Sequence, residues 1–206
     1  MREPKYPIKR VESGKEKGLS FSENFKRYNK AKDLGFYFEC LWILYAMLED
    51  RASAFLYYLG FTKSNDRNSV TGSRKIKSQI RQIFNMTGSK VQYKFNNLYG
   101  KITRICDVIK WRNSVQDEIT DYQKAVKKAI EGFSKNQDFL DALKYLEDEW
   151  RDKRNQLVHA LFNKDPQAVI LELQPLVEQG YNAVRKLDNA VKQLKRSKIR
   201  EQFKMR

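Results

Sequence analysis

One histidine, two cysteines, four prolines and nine glycines stand among 206 residues, and each scarcity removes a class of protein. Cys40 and Cys106 are too few for a disulfide scaffold and have no companions for a zinc site. Both sit in apolar helical contexts, so buried free thiols in a reducing cytosol are expected. The shortage of glycine and proline argues for long, rarely interrupted helices. No apolar run reaches the roughly 20 residues needed to cross a bilayer. The longest, residues 34–48, is broken by Glu39 and reads as a core helix. The charged start of the chain lacks an apolar stretch of the secretory type, so a cytoplasmic protein without a membrane partner is expected. No P-loop, paired metal carboxylates or nucleophile elbow is found, which leaves kinase, metallonuclease and hydrolase assignments without support and calls for no cofactor.

Charge is what the chain has in excess. Lys and Arg number 41 against 25 Asp and Glu, a formal net charge of +16. Such a balance favours polyanions, nucleic acid first. Residues 61–112 concentrate it, with twelve Lys/Arg and only Asp66 and Asp107 in opposition, and with Phe84, Tyr93, Phe95, Tyr99 and Trp111 interleaved. A run of this kind is either a solvated helix face or a surface that tracks phosphates. Its candidate RNA contacts are Arg74, Lys75, Lys77, Arg81, Lys90, Lys94, Lys101 and Arg104. Residues 185–206 form a second basic stretch, nine Lys/Arg against two acids, either RNA-binding or a solvated helix end.

No segment alternates apolar and polar residues with period two, so the expected class is all-α. Residues 1–19 read as a polar basic arm, 20–197 as one helical domain and 198–206 as a basic tail. Ser20 and Glu23 have capping-box spacing. A central helix is expected from Phe36 to Leu59, apolar on more than one face and closed by Gly60. Further helices are expected at 74–85, 90–110, 113–131 (ended by Gly132) and 138–162. Asp165 and Pro166 open the last helix, with a plausible kink at Pro175 or Gly180.

The single histidine, His159, falls within the 138–162 helix, and no other side-chain type has an unperturbed pKa so close to neutrality. Asn155 lies at i−4 and Asp152 at i−7, nearly in line on one face, while Arg154 is roughly 140° away around the axis. An arginine, an amide and an imidazole within six residues can bind a phosphate and move a proton beside it. A neutral core histidine fits the spacing as well. Glu49 and Arg51, at the end of an apolar stretch, need partners. With Asp152 they are candidates to support the cleft, the alternative for Glu49 and Arg51 being a structural ion network.

The segment Glu149-Trp150-Arg151-Asp152-Lys153-Arg154-Asn155-Gln156-Leu157-Val158-His159-Ala160-Leu161 resembles the HEPN family, whose signature is an arginine, often a polar residue next, and a histidine four to six residues on. The resemblance implies a HEPN-like bundle of four to five main helices with extra short ones. It implies a metal-independent endoribonuclease working as a homodimer on RNA, commonly a toxin or antiphage effector with an antitoxin or other regulatory protein. Arg154 and His159 take its catalytic positions and Asn155 the polar position. Leu161 stands where members modified by a nucleotidyltransferase antitoxin often carry tyrosine, so that route of control is not implied. A HEPN-like module that holds RNA, nucleotide or a partner protein without cutting is the alternative.

Overall fold

The protein is seen here in a computed structural model that describes residues 14–63, 69–70, 74–84, 95–115, 119–160 and 163–205. It is all-α. Among the described residues the sole β feature is an isolated bridge between Thr62 and Val70. In chain order the helices are α1 (Gly14–Asp33), α2 (Tyr37–Tyr58), α3 (Arg74–Ile83), α4 (Leu98–Ser114), α5 (Asp121–Ser134) and α6 (Gln137–Tyr145). A π-helical turn (Leu146–Trp150) leads into α7 (Arg151–Ala160), followed by α8 (Pro166–Ser197) and α9 (Ile199–Gln202).

α2 is the axis of the fold. Cys40, Leu41, Leu44, Met47, Leu48, Ala52, Phe55 and Leu56 are buried around more than one face, and a helix apolar on several sides must be enclosed by others. α8 packs along it most extensively, with α1 and α4 on other sides. Aromatic rings fix α1 to α8: Tyr28 stacks on Tyr181 at 4.9 Å, and Phe25 meets Tyr181 edge-on at 5.7 Å. Gly60 follows the last turn of α2 with φ +83°, the left-handed conformation expected of a helix-closing glycine.

Several boundaries differ from the sequence expectation. Ser20 caps nothing, because α1 is already helical from Gly14. Lys15, Glu16 and Lys17 are good helix formers, and no proline interrupts them. Residues 1–13 of the expected arm lie outside the described residues. α4 starts at Leu98, where the Asn97 side chain accepts from the Gly100 N–H at 2.8 Å. The expected stretch of that helix over 90–94 also lies outside the described residues. α5 begins at a capping box on Thr120 and Gln123 and continues through Gly132 to Ser134. Phe133 sustains that last turn by packing between Phe55 and Phe139, at 5.5 and 5.2 Å. α8 is helical through both Pro175 and Gly180. The basic tail folds back: Ile199 and Arg200 are buried.

Cys40 and Cys106 are free and buried. Burial pushes the Cys40 thiol up to about 11, helped by the neighbouring Glu39 carboxylate. Burial also raises Cys106 well above the ordinary thiol range, with Glu147 adding to it. The thiolate is the reactive form, so at neutral pH both cysteines of the folded protein should label with a thiol reagent at least about a hundredfold more slowly than in denaturant. Fast labelling of either in the native protein would show an open core at that point.

Candidate active site on α7

The turn before the motif is unusual. Leu146–Trp150 adopts the wide i→i+5 winding of a π-helix, which is rare and frequent at functional sites. Leu146 and Trp150 are both buried at its two ends. Trp150, 1 % exposed, drives its indole toward α8 at Gly180. A Cβ placed on Gly180 would stand 3.0 Å from Trp150 Nε1 and 3.3 Å from Leu44 Cδ1. The glycine expected to bend α8 thus serves as a notch that lets the indole in. The indole N–H is buried there without a hydrogen-bond partner among the described residues, a cost tolerated for the close packing.

Trp150 sets the rotation of α7. Arg154, one turn on, lies half-buried with its guanidinium 4.6 Å from the Tyr45 ring centre and 5.6 Å from that of Trp150. Its Nη2 and Nε donate to Asn155 Oδ1 at 2.8 and 3.3 Å. No carboxylate among the described residues pairs with it, so its remaining N–H donors are unclaimed. His159 is exposed near the end of α7, and its carbonyl accepts from Asn163 Nδ2 at 3.3 Å.

Arg154, Asn155, Val158 and His159 from α7 face Leu41, Trp42 and Tyr45 from α2 across a pocket of about 260 Å³. Five residues at 1.5 Å per residue separate Arg154 from His159 by about 7.5 Å along the axis. The 140° between them does not keep them apart, since the pocket is broad enough for the two to flank it. A second cavity of about 220 Å³ shares Tyr45 and Arg154 and extends toward Asn97 and Tyr99. Arg151 lies 4.3 Å over the Tyr99 ring there. Tyr45, Trp42 and Tyr99 were not singled out as site residues from sequence. Their place beside the motif depends on tertiary packing of α2 and α4 against α7.

The expected supporting carboxylates go elsewhere. Asp152 is exposed and accepts from Arg151 at 2.8 Å. That bond is the main cause of the raised Arg151 pKa. Glu49 and Arg51 line neither cavity. Glu49 accepts from Lys101 Nζ at 3.0 Å. Arg51 pairs with Asp50, with Asp188 at 3.0 Å, and sits 4.0 Å over the Phe21 ring. These two residues are thus held in ion pairs that tie α2 to α4 and α8, and neither is a wall residue of the pocket.

The basic stretch also divides. Arg74 and Lys75 are exposed and Lys77 half-buried on α3. Arg81 is half-buried, and Arg104 pairs with Asp107 at 2.7 Å while lying over Phe84. Lys101 is 2 % exposed and is withdrawn from any phosphate surface, because its ammonium is enclosed against Glu49. Lys90 and Lys94 lie outside the described residues. α3 lines neither of the two cavities at the motif. The described residues contain no group of three His, Cys, Asp or Glu able to hold a metal ion.

No family model, curated protein or solved structure matches this chain.

Gly180→Ala isolates the seat of α7. Alanine is the better helix former by about 1 kcal/mol, but its methyl group meets an enclosed indole and Leu44. Overpacking of this kind costs about 1–3 kcal/mol, so urea unfolding should show net destabilisation of roughly 1 kcal/mol. An unchanged or stabilised variant would contradict the close approach.

Proposed function

We propose that the chain is a metal-independent endoribonuclease of the HEPN type. The observation that carries this reading is the shared pocket: the chain's single histidine, an arginine with no carboxylate partner among the described residues, and an amide all border one open cavity beside aromatic side chains. RNA supplies its own nucleophile. His159 takes the proton of a ribose 2′-OH, the 2′-oxygen bonds to phosphorus, and the P–O5′ bond breaks. The products are a 2′,3′-cyclic phosphate and a 5′-hydroxyl. Arg154 stabilises charge on the five-coordinate phosphorus with a planar array of donors that lysine cannot match. Asn155 holds the guanidinium and presents its amide to the same phosphate.

One imidazole per chain suits one proton transfer in each direction poorly, and the leaving 5′-oxygen needs an acid. Two copies related by a two-fold axis would bring two histidines to one cleft. Trp42, on the pocket wall, is 69 % exposed and Val158 37 % exposed. Apolar groups left open beside a polar motif support a surface that a second copy covers. In the cell this reading corresponds to a cytoplasmic toxin or antiphage effector held in check by an antitoxin or other regulatory protein. No helix among the described residues is long and apolar enough to cross a membrane.

The same exposed Trp42 favours one other reading, a non-catalytic HEPN-like module that grips RNA, nucleotide or a partner protein. Activity separates the two. Wild-type protein in EDTA should cut RNA to fragments ending in cyclic or 3′-phosphate. Arg154→Ala and His159→Ala should each lower the rate by about 10²–10⁴-fold with RNA affinity nearly unchanged. Arg74→Glu with Lys75→Glu should instead weaken binding, most strongly at low salt, and flatten its dependence on salt. Cleavage by His159→Ala at the wild-type rate would leave the binding module as the better account.

Light scattering should give twice the chain mass for the wild type and a monomer for Trp42→Arg, with helical content unchanged by circular dichroism. A wild-type monomer at concentrations where RNA is cut would remove the shared cleft from the mechanism.

A further inference from the structure

A cavity larger than either of those at the motif lies elsewhere among the described residues. It occupies about 900 Å³ where the end of α2 meets the end of α8 and the returning tail. That volume falls within the range of roughly 300–1,000 Å³ typical of small-molecule sites. The segment after Ser197 builds it. Lys198 reverses the chain with φ 53° and Lys204 does so again with φ 47°, a left-handed conformation that is costly for lysine and persists only where the surroundings enforce it. Arg200 enforces it from within: its Nη1 donates to the carbonyls of Tyr57 and Thr62 at 3.1 and 2.8 Å, and its Nη2 to Met205 O at 3.1 Å. Its guanidinium also lies 4.0 Å from the Tyr57 ring centre.

Two kinds of surface meet in this cleft. Tyr57, Tyr58, Ile199 and Met205 supply aromatic and apolar area. Around them stand Lys195, Arg196, Lys198 and Lys204, none of which has a carboxylate of the described residues within ion-pair distance, and Glu201 is the single acid in the lining. Lys192, by contrast, is engaged by Asp188 at 2.7 Å. Cations at the end of a helix complement its dipole, but a dipole does not call for them to converge on one cleft beside tyrosine side chains. All four are exposed, and their convergence on one cleft raises the local potential for an anion.

We propose that this cleft binds a nucleoside polyphosphate, its base against the Tyr58 ring, which stands at 72° to Tyr57, and its phosphates among Lys195, Arg196, Lys198 and Lys204. Polyphosphate charge answers the cations, and a flat base answers the Tyr58 ring, since every base has a face that stacks. The bounded size of the cavity favours a single nucleotide over a long strand. The site is separate from the α7 pocket and does not depend on what that pocket does.

Calorimetric titration of the full chain with ATP, with inorganic triphosphate and with a single-stranded oligoribonucleotide tests it. ATP should bind saturably and triphosphate about tenfold more weakly. Lys198→Glu with Lys204→Glu should weaken ATP by at least about tenfold while thermal melting is retained. If that pair unfolds the chain, Lys198→Gln with Lys204→Gln carries the same expectation. Tyr58→Ala should weaken ATP and leave triphosphate unchanged, and Arg154→Ala should leave ATP affinity at the wild-type value. The proposal is overturned by the absence of saturable ATP binding at millimolar concentration, or by ATP affinity indifferent to the lysine pair. Loss of ATP binding in Arg154→Ala would overturn it too, by moving the nucleotide to the α7 pocket. An oligoribonucleotide whose affinity falls with the lysine pair while ATP fails to bind would make the cleft an RNA groove instead.

Discussion

Trp150 against Gly180 is the contact from which the geometry of the motif follows. The indole is the bulkiest of the fully buried side chains, and it enters α8 where the backbone alone faces it. Because the residue stands at the junction of the π turn and α7, seating its ring fixes the rotation of everything after it. Arg154 then comes to rest over Tyr45 and Trp150, and the Asn155–Val158–His159 stripe turns toward α2. A methyl group at position 180 acts on this arrangement from the far side of the indole, remote from any reacting atom. Stability and site geometry are thus coupled through one side chain.

α2 has the complementary role. Its apolar residues are enclosed by α1, α4 and α8, while Glu49 and Arg51 tie it to α4 and α8 by charge. The charged groups are satisfied as pairs and by the Phe21 face. Removing one member of such a pair is far more damaging than its net contribution suggests. One helix therefore presents Leu41, Trp42 and Tyr45 to the motif and holds the core of the bundle. Changes on its buried faces will move the pocket wall as well.

Much of this was legible in the sequence. The many-sided apolar run of α2, its glycine stop, the Asp165-Pro166 start of α8 and the position of Arg154, Asn155 and His159 on one late helix all follow from local patterns. The failures have physical causes. Ser20 has the spacing of a cap, but strong helix formers precede it and the backbone stays helical. Gly132 has the composition of a stop, but Phe133 beyond it finds two aromatic partners, and tertiary packing outweighs propensity. Lys101 has the same local chemistry as its basic neighbours. Only the proximity of Glu49, 52 positions away, distinguishes a buried ion from a surface one. Trp42 shows the converse, an indole inside an apolar run that packing leaves uncovered. The π turn has no sequence pattern that marks it.

The carbonyls at the end of α2 are closed by groups far along the chain. Tyr122 donates its hydroxyl to Leu59 O at 2.7 Å, and Arg200 reaches Tyr57 O across 143 positions. Tyr57 O already has a local donor in the Gly60 N–H at 2.8 Å, but during synthesis Leu59 O must wait, hydrated, for a hydroxyl 63 positions on. At about 5–20 residues per second the delay is on the order of ten seconds. The central helix consequently emerges with its apolar faces uncovered, and α8, its principal cover, arrives almost as late. Nascent chains of this protein pass through an interval in which the most hydrophobic helix is the most exposed, the circumstance in which chaperone capture competes with folding.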